Sequence, residues 1–247
     1  MNAVPMKSQA LLDAGCGTGQ YAAALIHEVS HITAVDLNEA MLAAASSKLG
    51  AEVESGRVVF HQASLETLPL DDESVDAVLV NQVLHHVADE PEQNWPSHQR
   101  IFAEFARVLK PGGIVTINSC SHAQLRSGFW FYHLIPDAIE RICERTCDPA
   151  AMASLLKVAG FGETKHAVDP DIVMQDASYF RAEGVLDADW RSGDSIWALA
   201  TSDELEAALG KARELAETGE LQSFMKQHDA PRSEVGQLTF SSAQKTQ

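Results

Sequence analysis

Residues 11–21 read LLDAGCGTGQY, an apolar run that ends in an acid and then alternates Gly15, Gly17 and Gly19 with other residues. Glycine at that density marks backbone that turns tightly and lets a ligand approach closely. The run before it predicts a short buried strand at 10–13, and Tyr21, Leu25 and Ile26 place a helical stripe over 20–29. Strand, glycine loop and helix in that order begin a βαβ unit.

Outward from this stretch the alternation continues. Strands are expected at 31–35, 57–62, 75–81 and 114–119, with helices at 38–49, capped by Asn38, and at 97–109. VDAVLVN at 75–81 is apolar on both faces, as a central parallel strand is. This rhythm predicts an α/β fold, a Rossmann-like, doubly wound and mostly parallel sheet of seven strands. After Ser121 the pattern changes. Residues 121–147 are rich in aromatics and read as helix interrupted by Pro136, while 148–159 and 202–217 read as helices. Residues 163–168 and 236–242 supply a sixth strand and an antiparallel last one. We expect one domain over 1–247: a ligand-binding core at 10–119, a helical substrate-side insertion after strand five at 120–235, and the last strand at 236–245.

Composition narrows the partners. Lys and Arg total 18 against 35 Asp and Glu, a net charge of −17, so nothing would displace counterions from a nucleic acid. No basic amphipathic helix argues for a membrane surface, and no 18-residue apolar run offers a span. The opening MNAVPMKSQ lacks the apolar core of a signal peptide. Cys16, Cys120, Cys143 and Cys147 are too scattered for a disulfide scaffold. The expectation is a cytoplasmic protein.

Three ligands suit a glycine loop. A nucleotide phosphate loop needs Lys and then Ser or Thr after its last glycine, whereas Gln20 and Tyr21 follow Gly19. A dinucleotide loop needs G-x-G-x-x-G, and this one is G-x-G-x-G. Asp13, two places before Gly15, would repel a pyrophosphate but suits an ammonium group. S-adenosylmethionine carries an ammonium, a sulfonium, a ribose and an adenine, and no phosphate. Asp36, closing the second strand, stands where an acid takes both ribose hydroxyls.

Four ordered stretches carry a resemblance: LLDAGCGTG, AVDLNEAMLAAA, VVFHQASLETLPLDDESVDAVLVNQVLHHV and FARVLKPGGIVTI, together covering about residues 10–119. They resemble the class I S-adenosylmethionine-dependent methyltransferases of small molecules, and are similar to the ubiquinone/menaquinone branch. The resemblance implies S-adenosylmethionine as cofactor and S-adenosylhomocysteine as product. By position, Asp13 would organise the loop and the ammonium, and Gly15, Cys16, Gly17 and Gly19 would present backbone to the methionine part. Asp36 would bind the ribose, Leu37 and Met41 would pack on the adenine, and Asn81 and Gln82 would line the methionine side with backbone groups. Two departures stand out. Relatives usually have Gly-Asp-Ala where this chain has Ala63-Ser64-Leu65, so Ser64 replaces the acid that meets the adenine amino group. Only nine residues precede Ala10, where relatives carry lid helices, so the expectation is either that the start is truncated or that another segment or a homo-oligomer supplies the lid.

Methyl transfer from a sulfonium is an in-line displacement that depends mostly on positioning. A base is needed only for a protonated acceptor. Residues 122–141 are the expected acceptor region, with Arg126, Phe129, Trp130, Tyr132 and His133 as binding candidates, and His122 and His133 as candidate bases. The alternative is that these aromatics and histidines build a core and that Arg126 is a solvated arginine. His86, of the pair His85-His86, is expected at the pocket border. The acceptor is a small molecule, methylated on oxygen as first expectation and on carbon or nitrogen as second. Two other readings stand beside this one: a methyltransferase-like protein that binds the cofactor without turnover, and an arsenite methyltransferase using Cys120, Cys143 and Cys147, the last two on one helical face. No metal site is expected.

Overall fold

The computed structural model describes residues 5–246. The first four residues of the segment read as lacking a signal peptide lie outside that range. The chain runs β1 (Ala10–Ala14), α1 (Gln20–Leu25), β2 (His31–Asp36), α2 (Glu39–Lys48), α3 (Gly50–Glu54), β3 (Val58–Gln62), β4 (Val75–Asn81), α4 (Pro96–Val108) and β5 (Leu109–Ser119). It continues through α5 (His122–Ser127), α6 (Pro136–Arg145), α7 (Pro149–Val158), β6 (Lys165–Ala167), α8 (Ala188–Ser192), α9 (Ser202–Glu217), α10 (Leu221–Asp229), α11 (Arg232–Val235) and β7 (Thr239–Gln244).

Two compact units share these elements. The first comprises residues 1–119, 150–166 and 240–247, and the second 120–149 and 167–239.

The first unit is built on a seven-stranded sheet in the order β3-β2-β1-β4-β5-β7-β6, with β1 paired in parallel to both β2 and β4 and the last strand antiparallel. Leu11, Ile32, Ala34 and Val58 of the strands pack with Ala22, Ile26, Leu42 and Leu49. Asn38 starts α2 because its side chain accepts from the N–H groups of Ala40 and Met41. On α4, Ile101, Phe102, Phe105 and Val108 recur at helical spacing and are fully buried, each contributing about 1.5–3 kcal/mol of apolar burial. The chain leaves β1 in one direction for β2 and β3 and returns on the other side for β4 and β5. That reversal opens a crevice beyond the carboxyl ends of β1 and β4.

Several boundaries differ from expectation for physical reasons. β5 begins at Leu109, before the expected 114, because its pairing with β4 jumps from Val75–Leu109 to Ala77–Ile114 and the Lys110–Gly113 stretch bulges between. The last strand begins at Thr239. Gln237, expected within it, instead spends its amide on the backbone of Met174 and Gly128.

The second unit is helical. Pro136, expected to interrupt a helix, opens α6, since its fixed φ suits a first turn and its missing N–H needs no partner there. Its core joins Phe129, Trp130, Phe131, Tyr132 and Ile135 to Tyr179, Val185, Trp197, Ala208 and Met225. Residues 176–199 reach this core through a succession of tight helical turns, at 176–180, 182–186 and 195–199, that leave no periodic trace in sequence. Among the described residues no helix is long and apolar enough to cross a membrane.

Candidate active site

The crevice at the carboxyl ends of the first unit's strands holds a cavity of about 730 Å³, within the range of small-molecule sites. Its walls come from the glycine loop, the end of β2, residues 63–66 after β3, and residues 81–88 after β4. No Lys or Arg is among its described lining residues, whereas Asp13, Asp36 and Glu66 are. Such a site suits a phosphate-free cation with apolar parts.

The glycine loop is held by its neighbour strand. Gly15 and Cys16 donate their N–H groups to the Val35 carbonyl at 2.7 and 3.0 Å. Gly15 sits at φ +78°, and a side chain there would press into Val83, whose methyls lie 2.4–2.5 Å from an added Cβ. Gly17, at φ +51°, has nothing within 4 Å of that position, so its bare face is open to a ligand. Its N–H donates to Asp36 Oδ2 at 2.8 Å, and Asn38 N–H donates to Asp36 Oδ1 at 2.9 Å. Both oxygens keep a lone pair for further donors.

Asp13 is 2% exposed, and its Oδ2 has no hydrogen-bond partner. Burial pushes its pKa up to about 7; the Ala22 N–H pulls it partly back, and the Asp36 charge raises it further. A buried carboxylate with an idle oxygen favours a cation beside it. Cys16 is pushed up to about 12, first by burial and then by the charges of Asp13 and Asp36, so it stands as a thiol.

Leu37 is 67% exposed and Met41 42%, two apolar side chains left bare on the same wall. Ser64 and Leu65 line the cavity as well, and the Ser64 hydroxyl oxygen accepts the Glu66 N–H at 3.2 Å. Asn81, Gln82 and His86 line the opposite wall. Burial lowers the His86 pKa, with Asp36 opposing, and takes neighbouring His85 down to about 4, so both rings are neutral at pH 7. All the residues read as cofactor-binding meet at this one cavity except Gly19. That glycine instead caps α1 in the left-handed region, against Ala45 of α2. Gln20, Tyr21, Val83, Ala88 and Ile101 also line it, and reading by motif had missed them. They arrive through strand register and helix packing, for which no local signal exists.

The candidates at 122–133 lie in the second unit. Phe129, Trp130 and Tyr132 are at most 4% exposed and belong to its core. The Trp130 indole donates to the Tyr179 carbonyl at 3.0 Å, and Tyr132 donates to Asp194 Oδ2 at 2.8 Å. His122 Nε2 is 2.9 Å from the Thr146 carbonyl. His133 stacks on His228 at 4.2 Å, and burial, His228 and Lys211 all lower its pKa. Arg126 is clamped by Glu140 in two parallel bonds of 2.8 and 2.7 Å, so its fork is already filled.

The cysteine expectation needs correcting. Cys143 lies in α6, but α6 ends at Arg145 and the chain is extended at Thr146, so Cys147 is not on the same helical face. Burial pushes Cys143 up to about 11, away from the thiolate that arsenic needs. Among the described residues no three acidic, histidine or cysteine side chains converge as a metal site.

Residues 12–117 match the family model of a methyltransferase domain. The chain is 29% identical over 180 residues to the demethylmenaquinone methyltransferase of Clavibacter sepedonicus, covering 66% of this chain and 69% of that one. Of several other relatives it spans less than two thirds of their length. Two solved structures share the fold. A methyltransferase assigned to an antibiotic biosynthesis pathway of Anabaena variabilis superposes with a TM-score of 0.73 at 22% identity, over 96% of this chain and 91% of that one. The phosphoethanolamine N-methyltransferase 2 of Haemonchus contortus, solved with S-adenosyl-L-methionine, gives 0.58 at 18% identity over 98% of this chain and 50% of that one. Over residues 12–117 the chain is thus similar to methyltransferase domains, and it shares the fold of methyltransferases, one of them solved with S-adenosyl-L-methionine.

Proposed function

We propose that the cavity of the first unit binds S-adenosylmethionine and that the chain transfers its methyl group to a small organic acceptor. The carrying observation is the pairing of a buried Asp13, whose Oδ2 has no partner, with Asp36 and two bare apolar side chains around one phosphate-hostile cavity. Each part fits a part of the molecule. Asp13 accepts the ammonium, directly or through water, Asp36 accepts the ribose hydroxyls, and Leu37 and Met41 cover the adenine faces. Gly17 leaves room for close approach.

Bound, S-adenosylmethionine supplies a methyl group already activated on a sulfonium, so the protein's task is placement and dryness. Val83, Val87, Ala88 and Ile101 form an apolar stretch of wall that keeps water from the acceptor. His86, neutral at pH 7, is the imidazole on this wall able to take a proton from a hydroxyl acceptor. The residues suggest an oxygen acceptor first. A relative from Methylobacterium nodulans, 29% identical over 178 residues and named a ubiquinone/menaquinone biosynthesis C-methyltransferase, supports a carbon acceptor.

The test is transfer of label from S-adenosyl-[methyl-³H]methionine to hydroxylated aromatics, amines and thiols offered separately. Label should enter an extractable product with one acceptor class and should be lost with Asp36→Ala. Tight cofactor binding with no transfer to any class would replace this reading by binding without turnover.

A further inference from the structure

The cofactor proposed for this cavity carries a carboxylate beside its ammonium, on the same carbon. The described lining residues include Asp13, Asp36 and Glu66 and no Lys or Arg, so that carboxylate meets repulsion. The backbone of the glycine loop is largely committed elsewhere. Gly15 and Cys16 donate to the Val35 carbonyl, Gly17 to Asp36 Oδ2, and Gly19 to the Cys16 carbonyl at 2.9 Å. That leaves side chains close to Asp13 to meet the carboxylate. The first turn of α1 supplies them, because the Ala22 N–H bonds Asp13 while Gln20 and Tyr21, just before it, line the cavity.

Within that turn Gln20 has a cation behind it. Its Oε1 accepts from Lys48 Nζ at 3.3 Å, and Lys48 stands in the last turn of α2, where the helix dipole favours a positive charge. The glycine loop brings the two helices together: Gly19, at φ +71°, lies so close to α2 that an added Cβ would sit 2.9 Å from the Ala45 methyl. With its oxygen turned to the ammonium of Lys48, the amide of Gln20 offers its Nε2 as the donor side. A carboxylate in an acidic cavity is held where a donor and a positive charge coincide. We infer that Gln20, oriented by Lys48, binds the carboxylate of the cofactor's methionine part. The inference rests on the cofactor reading of the same cavity. Asp13 and Gln20 then divide the two charges carried on one carbon, the acid taking the ammonium and the amide the carboxylate. Lys48 is a positioning residue: it fixes the direction of the amide and offsets the repulsion from Asp13 and Asp36.

The test is calorimetric titration of the full chain with S-adenosylmethionine and with its decarboxylated form, which keeps the ammonium, sulfonium, ribose and adenine and lacks only the carboxylate. Gln20→Ala should weaken S-adenosylmethionine by roughly fivefold or more and the decarboxylated ligand by less than about twofold. Gln20→Glu sets a carboxylate against the ligand's own. It should weaken S-adenosylmethionine by roughly tenfold or more and leave the decarboxylated dication as tight or tighter. Lys48→Met should cost about threefold, confined to S-adenosylmethionine. Gln20 and Lys48 are both exposed, so the unfolding midpoints of these variants should match the parent's. The inference is overturned if Gln20→Ala leaves S-adenosylmethionine within about twofold of the parent or weakens both ligands alike. It is overturned as well if the selective loss appears with Tyr21→Phe instead, which would assign the carboxylate to the phenol. A parent chain that binds neither ligand would instead sink the cofactor reading beneath it.

Discussion

The two units of this chain use polar groups in opposite ways. In the sheet unit, strand ends leave groups idle: Asp13 Oδ2 without a partner, Gly17 with open space, and Leu37 and Met41 bare. In the helical unit Tyr132 is taken by Asp194, Arg126 by Glu140 and Trp130 by the Tyr179 carbonyl, while the idle ring nitrogens of His133 and Trp197 are buried in or beside a packed aromatic core. An array of aromatics and histidines is therefore a weaker sign of a site than one buried acid with an idle oxygen at a cavity. Residue type alone does not distinguish the two; an idle group that lines a cavity does.

This contrast can be broken most sharply at the helical core. Phe131 is fully buried against Trp130, Tyr132, Tyr179, Trp190 and Trp197. Phe131→Ala should cost about 3–5 kcal/mol, read by urea unfolding followed through tryptophan emission, since Trp130, Trp190 and Trp197 lie in this unit. A loss under about 1 kcal/mol would mean the aromatics are not that unit's core.

A smaller change belongs to the glycine loop. Gly15→Ala adds a methyl facing Val83 at a positive φ, and strain of about 1–3 kcal/mol should weaken S-adenosylmethionine by roughly 5- to 150-fold in titration. Unchanged affinity would show that the loop does not need its left-handed turn.

The pH dependence of Asp13 sharpens the same point. Its pKa of about 7 lies above the usual carboxylate value, so the ligand-free fold binds the proton more tightly than the unfolded chain does. Ligand-free stability should accordingly fall as pH rises from about 4 to 7, as the buried group is forced to ionise. An ammonium ligand needs the ionised form. Its affinity should rise with pH up to about 7, by roughly tenfold per unit at most, and then level. Calorimetry from pH 5.5 to 8 checks this, and Asp13→Asn should remove the slope. A flat profile in the parent chain would detach Asp13 from the ligand.

The smallest effect is expected at Arg126. Its pair with Glu140 is exposed on both sides, so Arg126→Ala should leave the unfolding midpoint and cofactor affinity unresolved from the parent. A clear loss of methyl transfer would restore Arg126 to the acceptor site.

What could be read in the sequence follows the same division. The sheet and the cavity's main parts were legible because their causes are local: apolar runs make strands, Gly15 and Gly17 meet steric demands, and Asp13 and Asp36 end strands. Val83, Ala88 and Ile101 were not legible, because they reach the cavity through a parallel register and the packing of α4. The bulge at Lys110–Gly113 and the tight turns of residues 176–199 escaped for a similar reason, since pairing and tertiary packing set them. The bond between Gln20 and Lys48 joins residues 28 apart, a link no motif carries.

The central claim is that this cavity binds S-adenosylmethionine through its two acids. The most direct measurement is calorimetric titration of the chain with S-adenosylmethionine and S-adenosylhomocysteine, beside an Asp36→Ala variant whose folding is confirmed by its unfolding midpoint. We expect micromolar binding of both ligands by the parent chain and loss of at least about a hundredfold in the variant, the worth of charge-assisted bonds to two ribose hydroxyls. No binding by the folded parent chain, or equal binding by the variant, would contradict the account.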